Sequence, residues 1–218
     1  MLYGLIFILF ALGCKKDNYE TIIRSTGKNY FNNIKGSSNI YKIEEIIYND
    51  FFNTIDTQRY FLKEKNDTFF NDNLGRKSMR IYRYKSIKDT TKWQFLNAWY
   101  STVDNFTAER VEDNKRLVKL SFPLTEDAIW NYNAFNTDNG LNLFYDFIHQ
   151  KYTLNTIVFD SAIAIKSETI VNLVKERQYQ EVYVNYIGLV YKNQINLDKN
   201  GNLKRGYKIK QTLIKHEP

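Results

Sequence analysis

Apolar and polar residues alternate along most of the chain after residue 40. Val118, Leu120 and Phe122 alternate with Lys119 and Ser121, a pattern typical of a half-buried β-strand. Comparable alternation, or runs rich in β-branched and aromatic residues, predicts further strands at 41–48, 58–69, 77–85, 93–99, 106–112, 157–165 and 207–213. The larger part of the chain is therefore expected to be β-structure.

One internal segment is apolar on both of its faces. Residues 181–191 (EVYVNYIGLVY) predict a central strand, with Gly188 at a bulge or at a close approach of another backbone. Turn signals separate the other runs. Asn200-Gly201 lies between two alternating segments and is the strongest hairpin signal in the chain.

A single short segment has helical character. Thr125 is a suitable N-cap for a helix over Thr125–Asn131, with acidic residues in its first turn. The strands do not alternate with helices, so a parallel sheet is not expected. The fold class predicted is mainly β: one antiparallel, strongly curved sheet or open barrel, with about ten strands and little helix.

The N-terminus carries a different signal. Residues 2–12 contain no charge, but at 1.5 Å per residue they span about half of a ~30 Å hydrocarbon core. That length is typical of a signal peptide, which we place at 1–13. Ala11-Leu12-Gly13-Cys14 resembles a bacterial lipobox, whose cysteine receives a diacylglycerol before the signal is removed. No Lys or Arg precedes the apolar run, which departs from the usual pattern.

The lipobox implies an anchor and a tether. We expect residues 14–39 to comprise the lipidated Cys14 and a flexible tether, with a short helix over 19–24 as an alternative, and 40–218 to form one β-rich domain. In lipoproteins that this chain resembles, an aspartate after the cysteine can signal inner-membrane retention. Here that residue is Lys15, so the outer membrane is the expected location, with the face of that membrane left open.

Several segments of the sequence resemble a family of uncharacterised Bacteroidota lipoproteins. The most specific are Trp130–Asn136 (WNYNAFN) and Tyr183–Lys192 (YVNYIGLVYK), although relatives tend to have glycine where Tyr132 stands. Others are at 41–51, 59–63, 75–76, 93, 99, 109–114 and 122–123. The resemblance implies a cell-envelope location and a β-rich fold, and it implies no activity.

Composition narrows the class of protein further. The 218 residues include 31 Lys and Arg against 24 Asp and Glu, a net charge of +7, and 43% of them are hydrophobic. This composition excludes collagen-like and disordered chains. Cys14 is the only cysteine, so no internal disulfide can form. Because export removes the chain from nucleic acid, the positive charge indicates anionic envelope surfaces instead.

A basic stretch is the first candidate for chemistry. Its members are Arg76, Lys77, Arg80, Arg83 and Lys85, interleaved with Tyr82 and Tyr84. Such a face could bind anionic lipid head groups or acidic glycans. The alternative is a solvated strand face whose long cations protect a sheet edge from aggregation.

Catalytic and metal sites have little support. Glu109, Glu112 and Asp113 lack a motif for glycoside hydrolysis, and the two histidines, His149 and His216, show no metal-ligand spacing. Ser121 and Ser161 have no nucleophile-elbow context, and 198–202 fits a hairpin turn better than a calcium loop. We expect no enzyme activity, no metal and no cofactor.

The aromatic and amide residues of 130–136 suit a binding loop. Trp130 and Phe135 could stack on a ligand while Asn131 and Asn133 form hydrogen bonds, or the segment could be structural, with Trp130 plugging one end of a barrel. Two hypotheses for the function follow. An outer-membrane-anchored lipoprotein could bind a lipid or another apolar ligand in a curved sheet. Alternatively, it is a structural or protein-interaction subunit of a cell-envelope complex, with a lipid, glycan or envelope protein as partner.

Overall fold

The computed structural model of the protein describes residues 26–218. The signal peptide, Cys14 and the alternative helix over 19–24 lie outside the described residues. A short 3₁₀ helix, Lys28–Tyr30, precedes the first strand. The strands are β1 Ser38–Asn49, β2 Thr54–Asn71, β3 Lys77–Ser86, β4 Gln94–Val103, β5 Thr107–Glu112, β6 Lys115–Ser121, β7 Ile129–Asn131, β8 Asn142–Leu154, β9 Ile157–Ser167, β10 Ile170–Val171, β11 Lys175–Val184, β12 Gly188–Asn200 and β13 Leu203–Glu217.

All of these strands belong to one antiparallel sheet. Its order is β6-β5-β4-β3-β2-β1-β13-β12-β11-β9-β8-β7, and β10 pairs with β11 beside that path. The sheet is thus two meanders, β1–β6 and β7–β13, joined where the first and last strands pair over Ser38–Tyr48 and Gly206–Glu217. The predicted fold class is confirmed: the sheet curves into a nearly closed barrel, and residues 26–218 contain no α-helix.

The turns lie at two opposite ends of the sheet. We call the end with the turns at 72–76, 104–106 and 185–187 the near end, because the described chain begins there. The far end carries the turns at 50–53 and 201–202. Along β1, 12 residues separate the two ends, which corresponds to about 40 Å at ~3.3 Å per residue.

The prediction of one strand over 181–191 is wrong. β11 ends at Val184 and β12 begins at Gly188, so this apolar segment is a hairpin. The turn is closed by a hydrogen bond from Ile187 N to Val184 O, and Tyr186 has a positive φ of 63°. A close approach at Gly188, one of the two alternatives, is present: a Cβ there would lie 2.6 Å from Cβ of Asn32.

The helix predicted over Thr125–Asn131 is also wrong. Residues 125–128 form a single turn, in which Ala128 N donates to Thr125 O. Ile129–Asn131 then pairs with Asn142–Phe144 as strand β7. Trp130 gains burial and a hydrogen-bond partner in this strand, so tertiary contacts override the local helical preference.

The prediction that a flexible tether extends to residue 39 is wrong for residues 27–39, which the structure describes. Tyr30 and Phe31 are buried in the core, and β1 already begins at Ser38. The Tyr30 hydroxyl bonds to His149 Nδ1 at 2.6 Å and to Ser161 Oγ at 2.5 Å. Residues 27–39 are therefore part of the domain, because two aromatic side chains and several buried polar groups fix them against the sheet.

The buried apolar side chains form two clusters, which lie on opposite faces of the sheet along β9. Ile163 and Ile165 belong to the first cluster, whereas Ala162 and Ala164 belong to the second, as alternation along β9 requires. The second cluster forms because β8 bends: its pairing with β9 shifts register three times between Tyr145 and Tyr152. Leu154 and Phe159 of this hairpin then pack on the second face.

Within residues 26–218, no helix has the length and hydrophobicity needed to cross a bilayer.

Gly188→Ala tests the close approach at the β11–β12 turn. The new methyl group would strain a positive φ of 87° and would clash with Asn32. We expect a loss of about 2–4 kcal/mol in the free energy of unfolding, from overpacking and left-handed strain together. Gly75→Ala is the control, because Gly75 has a similar φ of 72° and open space around it. Equal losses in urea denaturation for the two variants would contradict this assignment.

Candidate functional site

Residues 130–136, the closing segment, join the two edges of the sheet. Val118 N on β6 donates to Tyr132 O at 2.9 Å, and the Trp130 indole N–H donates to Val118 O at 3.1 Å. Asn136 Nδ2 donates to Arg116 O at 2.8 Å, and Arg116 also forms a β-bridge with Phe135. These bonds use polar backbone groups that an open edge on β6 would leave without partners.

Most of the side chains predicted to bind a ligand are engaged in the closing segment itself. Trp130 is buried against Tyr145, with ring centroids 5.0 Å apart. Asn131 Oδ1 accepts hydrogen bonds from the backbone N–H groups of Asn133 and Leu141, and Asn133 Nδ2 donates to Asn139 O. Phe135 is exposed. Ligand binding by these four residues stays a prediction, while their structural role is visible.

A buried network of charges lies beside the closing segment. Lys119 Nζ on β6 is 3.0 Å from Glu112 Oε1 and 3.2 Å from Glu181 Oε1 on β11. It also donates to the hydroxyls of Tyr132 and Tyr179, at 3.1 and 3.2 Å. Because β6 and β11 are far apart in the strand order, these contacts cross the space that the sheet encloses. In a half-buried strand the polar face is exposed, but here the side chain of Lys119 on that face is only 3% exposed.

A second group of ion pairs continues this network. Glu64 on β2 lies 3.0 Å from Arg83 Nε and 2.5 Å from Arg110 Nη2. Arg110 Nε lies 3.9 Å from Glu112, which links the two groups, and Arg83 stacks on the ring of Trp99 at 3.3 Å. Side chains from β2, β3, β5, β6, β11 and β12 are thus held together by charge.

The mutual fields of these charges shift their pKa values. Burial by itself would raise the pKa of Glu112, but Lys119, Lys192 and Arg110 outweigh it and lower the pKa to about 2. Burial would lower the pKa of Lys119, but Glu112 and Glu181 outweigh it and raise that pKa. The pKa of Lys192 is lowered by its burial and by the like charge of Lys119. The carboxylates of the network are therefore charged at neutral pH.

The basic stretch on β3 is largely neutralised by neighbouring groups. Arg76 pairs with Asp72 and Glu109, and Arg80 pairs with Asp67 at 2.6 Å. Lys77 and Lys85 lie over the rings of Phe69 and Tyr60, and Arg83 belongs to the buried network. The edge-protection alternative is wrong, because β3 pairs with β2 on one side and β4 on the other.

In the described part of the chain, Glu109 and the two histidines each have hydrogen-bond or ion-pair partners. Glu109 is buried between Arg76 and Arg116, at 3.1 and 2.6 Å. His149 is a partner of Tyr30, and His216 Nδ1 lies 2.7 Å from Asn39 Oδ1. Between residues 26 and 218, no three His, Cys, Asp or Glu side chains are placed to hold a metal ion.

The buried ion pairs contain charged residues that the sequence pattern does not single out. Glu64, Arg110 and Glu181 are buried and Lys192 is half-buried, yet the sequence pattern marks none of them as a functional candidate. One signal was present for Glu181, a lone acidic residue at the start of an otherwise apolar run. Burial of charged residues without partners is costly, so such a position indicates a buried ion pair.

Comparison with known proteins yields two distant structural likenesses. No family model matches the chain, and no curated protein matches it. A protein from Parabacteroides distasonis ATCC 8503, provisionally described as a lipoprotein, is 9% identical over 86% of this chain and 98% of its own, with a TM-score of 0.45. A protein from Bacteroides fragilis NCTC 9343, provisionally described as exported and as having a YmcC-like fold, is 11% identical over the same shares, with a TM-score of 0.40. Likenesses at these levels do not assign this chain to a family.

Lys119→Met tests the buried network. The substitution leaves Glu112 and Glu181 buried without their shared cation, and removing one partner of a buried pair typically costs about 3–5 kcal/mol. We expect a loss of that size in urea denaturation and a smaller loss for Lys119→Met combined with Glu181→Gln. Lys115 lies on the same strand as Lys119 and forms an exposed ion pair with Asp138. Lys115→Met should therefore lower the free energy of unfolding by less than about 1 kcal/mol. A double variant less stable than Lys119→Met alone would contradict the coupling.

The lowered pKa of Glu112 predicts acid sensitivity. A carboxylate whose pKa falls from 4.5 to about 2 on folding stabilises the protein above pH 4.5, and this contribution is lost as the pH falls towards 2. At ~1.4 kcal/mol per pKa unit, its loss is worth up to about 3 kcal/mol. Glu112→Gln should therefore flatten the decline in stability between pH 5 and pH 2.5, followed by thermal denaturation. An unchanged pH profile would contradict this role.

Proposed function

We propose that the protein is a cell-envelope lipoprotein, anchored through acyl chains on Cys14, whose β domain is a non-catalytic module for contact with a protein partner. The anchor is supported by the Ala11–Cys14 signature after an apolar segment of signal-peptide length. Because Lys15 follows the cysteine, we propose the outer membrane as the anchoring membrane. Two or more acyl chains give stable attachment, whereas one chain gives only marginal binding.

The space enclosed by the sheet is filled with side chains. For this reason we favour a protein partner over a lipid bound inside the sheet. Large side chains such as Tyr41, Tyr179 and Leu120 are fully buried there, and the ion pairs of Lys119 and Glu64 cross the space. A cavity beside Arg110 measures about 40 Å³. Pockets for drug-sized ligands are typically about 300–1,000 Å³ and mainly apolar. A lipid chain in this space would displace charged groups from their partners.

The far end of the sheet offers a surface for a partner. Phe51 is 85% exposed in the turn between β1 and β2, and Leu173 is 91% exposed in the connection between β10 and β11. We call this set the far-end patch; it comprises Phe51, Phe52, Ile55, Leu173, Val174 and Leu203. The strands that carry it, β2, β1, β13, β12 and β11, are consecutive in the sheet. Exposed apolar residues grouped at one end of a sheet are typical of interaction sites.

A second candidate function is supported by a groove at the same end. An open groove of about 550 Å³ lies between β1 and β13 and is lined by Ile47, Tyr48, Phe51, Arg205 and Tyr207, among others. A small, mainly apolar ligand would suit these side chains, and its polar groups could meet the charges of Glu45, Asp50 and Arg205, which also line the groove. Because the groove is open to solvent, it would bind such a ligand on the surface of the domain and not within it.

The anchor is tested by Cys14→Ser. Without the cysteine no acyl chain can be attached, so the variant should move from the membrane fraction to the soluble fraction of the producing bacterium. The measurement is immunoblotting of both fractions after a high-salt wash. A variant that still sediments with membranes would show that the lipobox assignment is wrong.

The docking surface is tested by the double substitution Phe51→Ser and Phe52→Ser. Both side chains are exposed, so the fold should be retained while the apolar contact is lost. In mild detergent extracts of the source membranes, native electrophoresis should show the wild-type protein in a larger complex and the double variant as a smaller species. Leu74→Ser, at an exposed apolar position of the near end, is the control and should leave the complex unchanged. A wild-type protein that migrates as a monomer with co-purifying lipid would favour the second candidate.

A further inference from the structure

The described chain begins at a fixed point on the near end. Lys28 Nζ donates to Asn105 Oδ1 at 2.7 Å, and Asn29 O accepts a hydrogen bond from Tyr186 N at 2.8 Å. Asn29 Nδ2 also donates to the Tyr186 hydroxyl at 3.2 Å, and Tyr30 is buried immediately afterwards. The position of Thr26 is thereby set by the turns at 104–106 and 185–187.

The distance from Cys14 to this point limits the orientation of the domain. Twelve peptide units separate Cys14 from Thr26. A chain of this length reaches at most ~40 Å, and only when fully extended. The far end lies about 40 Å beyond the near end along β1. To place the far end on the bilayer, the chain would have to run fully extended along the whole domain, at a large cost in conformational entropy.

The near end exposes aromatic side chains where the chain enters the domain. Phe106 follows Asn105, the partner of Lys28, and is 72% exposed. Tyr186, the partner of Asn29, is 57% exposed. Aromatic rings with one polar end are favoured at the boundary between lipid and water, and phenylalanine is favoured just inside it.

The charges around this point are balanced. Lys28 and Lys35 lie on the segment that enters the domain, and Glu126 and Asp127 lie in the connection that contacts Gly27 through Leu124. The near end therefore has no strong preference for anionic lipid. Its contact with a bilayer would depend on the aromatic side chains and on the anchor.

We infer that the near end lies against the bilayer that holds the acyl chains of Cys14, with Phe106 and Tyr186 at the lipid–water interface. This orientation rests on the proposed lipidation of Cys14. It turns the far-end patch away from that membrane by the length of the domain. The apolar residues Phe51 and Leu173, although more exposed than Phe106, then meet a partner and not the anchoring membrane.

The absence of other cysteines in the sequence makes a direct test possible. The lipidated protein is purified with one new cysteine, at Phe106→Cys or Tyr186→Cys, and labelled with a nitroxide. The sulfur of Cys14 does not react with the label, because in the lipidated protein it carries the diacylglyceryl group as a thioether. The matched controls are Phe51→Cys and Leu173→Cys at the far end. Each protein is incorporated into vesicles of phosphatidylethanolamine and phosphatidylglycerol, and flotation shows whether it is bound. The accessibility of the label to oxygen and to a water-soluble nickel chelate then reports its depth.

We expect the labels at 106 and 186 to be accessible to oxygen and protected from the nickel chelate. The labels at 51 and 173 should be more accessible to the nickel chelate than to oxygen. If the protein floats with vesicles but the labels at 106 and 186 are fully aqueous, the inferred orientation is wrong while the anchor stands. Immersion of the labels at 51 and 173 would also overturn it and would make the far-end patch a lipid contact. If the protein fails to float, the anchor is wrong and the orientation falls with it.

Discussion

The buried ion pairs around Lys119 constrain the rest of the domain. Lys119 belongs to the first meander, whereas its partner Glu181 belongs to the second, so their contact holds the two halves of the sheet together across the space between them. Charges in such a place stabilise only when every partner is present, because each unpaired charge would pay for its own desolvation. The network therefore requires one arrangement of the two meanders, and a bound lipid in the same space would break it.

Tyr132 connects this network to the closure of the sheet. Its carbonyl oxygen accepts the hydrogen bond from Val118 that joins the two edges, and its hydroxyl accepts a hydrogen bond from Lys119. Lys119 follows Val118 directly, so one residue of the closing segment binds both the backbone of β6 and the adjacent buried cation. The same residue, Tyr132, therefore both closes the sheet and provides a hydrogen-bond partner for the buried cation. This accounts for the amide-rich composition of 130–136, whose side chains hold the segment in the required conformation.

Alternation of apolar and polar residues was sufficient to predict the fold class, because it reports which side chains share a face. It could not report whether the other face is covered. Lys119 occupies a polar position of β6, for which the alternation predicts an exposed side chain. Residues of the other meander, such as Glu181, cover that side and bury it. The hairpin at 185–187 was missed for a related reason: its turn contains Tyr186 and Ile187, so the apolar run continues through it. The burial of Tyr30 depends on contacts with β8 and β9, more than 100 residues away, and that of Phe31 on Tyr183 of β11. Local composition cannot report such contacts.

The same physical arguments separate the parts of the domain that maintain the fold from those free to act. The enclosed space is occupied by paired charges and aromatic rings. The amide side chains of the closing segment form hydrogen bonds that hold its own conformation. The cations of β3 are largely compensated by carboxylates or lie over aromatic rings. What remains without internal partners is concentrated at the two ends of the sheet. The chain enters the domain at the near end, so under the proposed anchoring through Cys14 the bilayer is the surface within its reach. The far end is held about 40 Å away by the length of the strands, and there the exposed phenylalanines can contact a molecule that the anchor does not already provide.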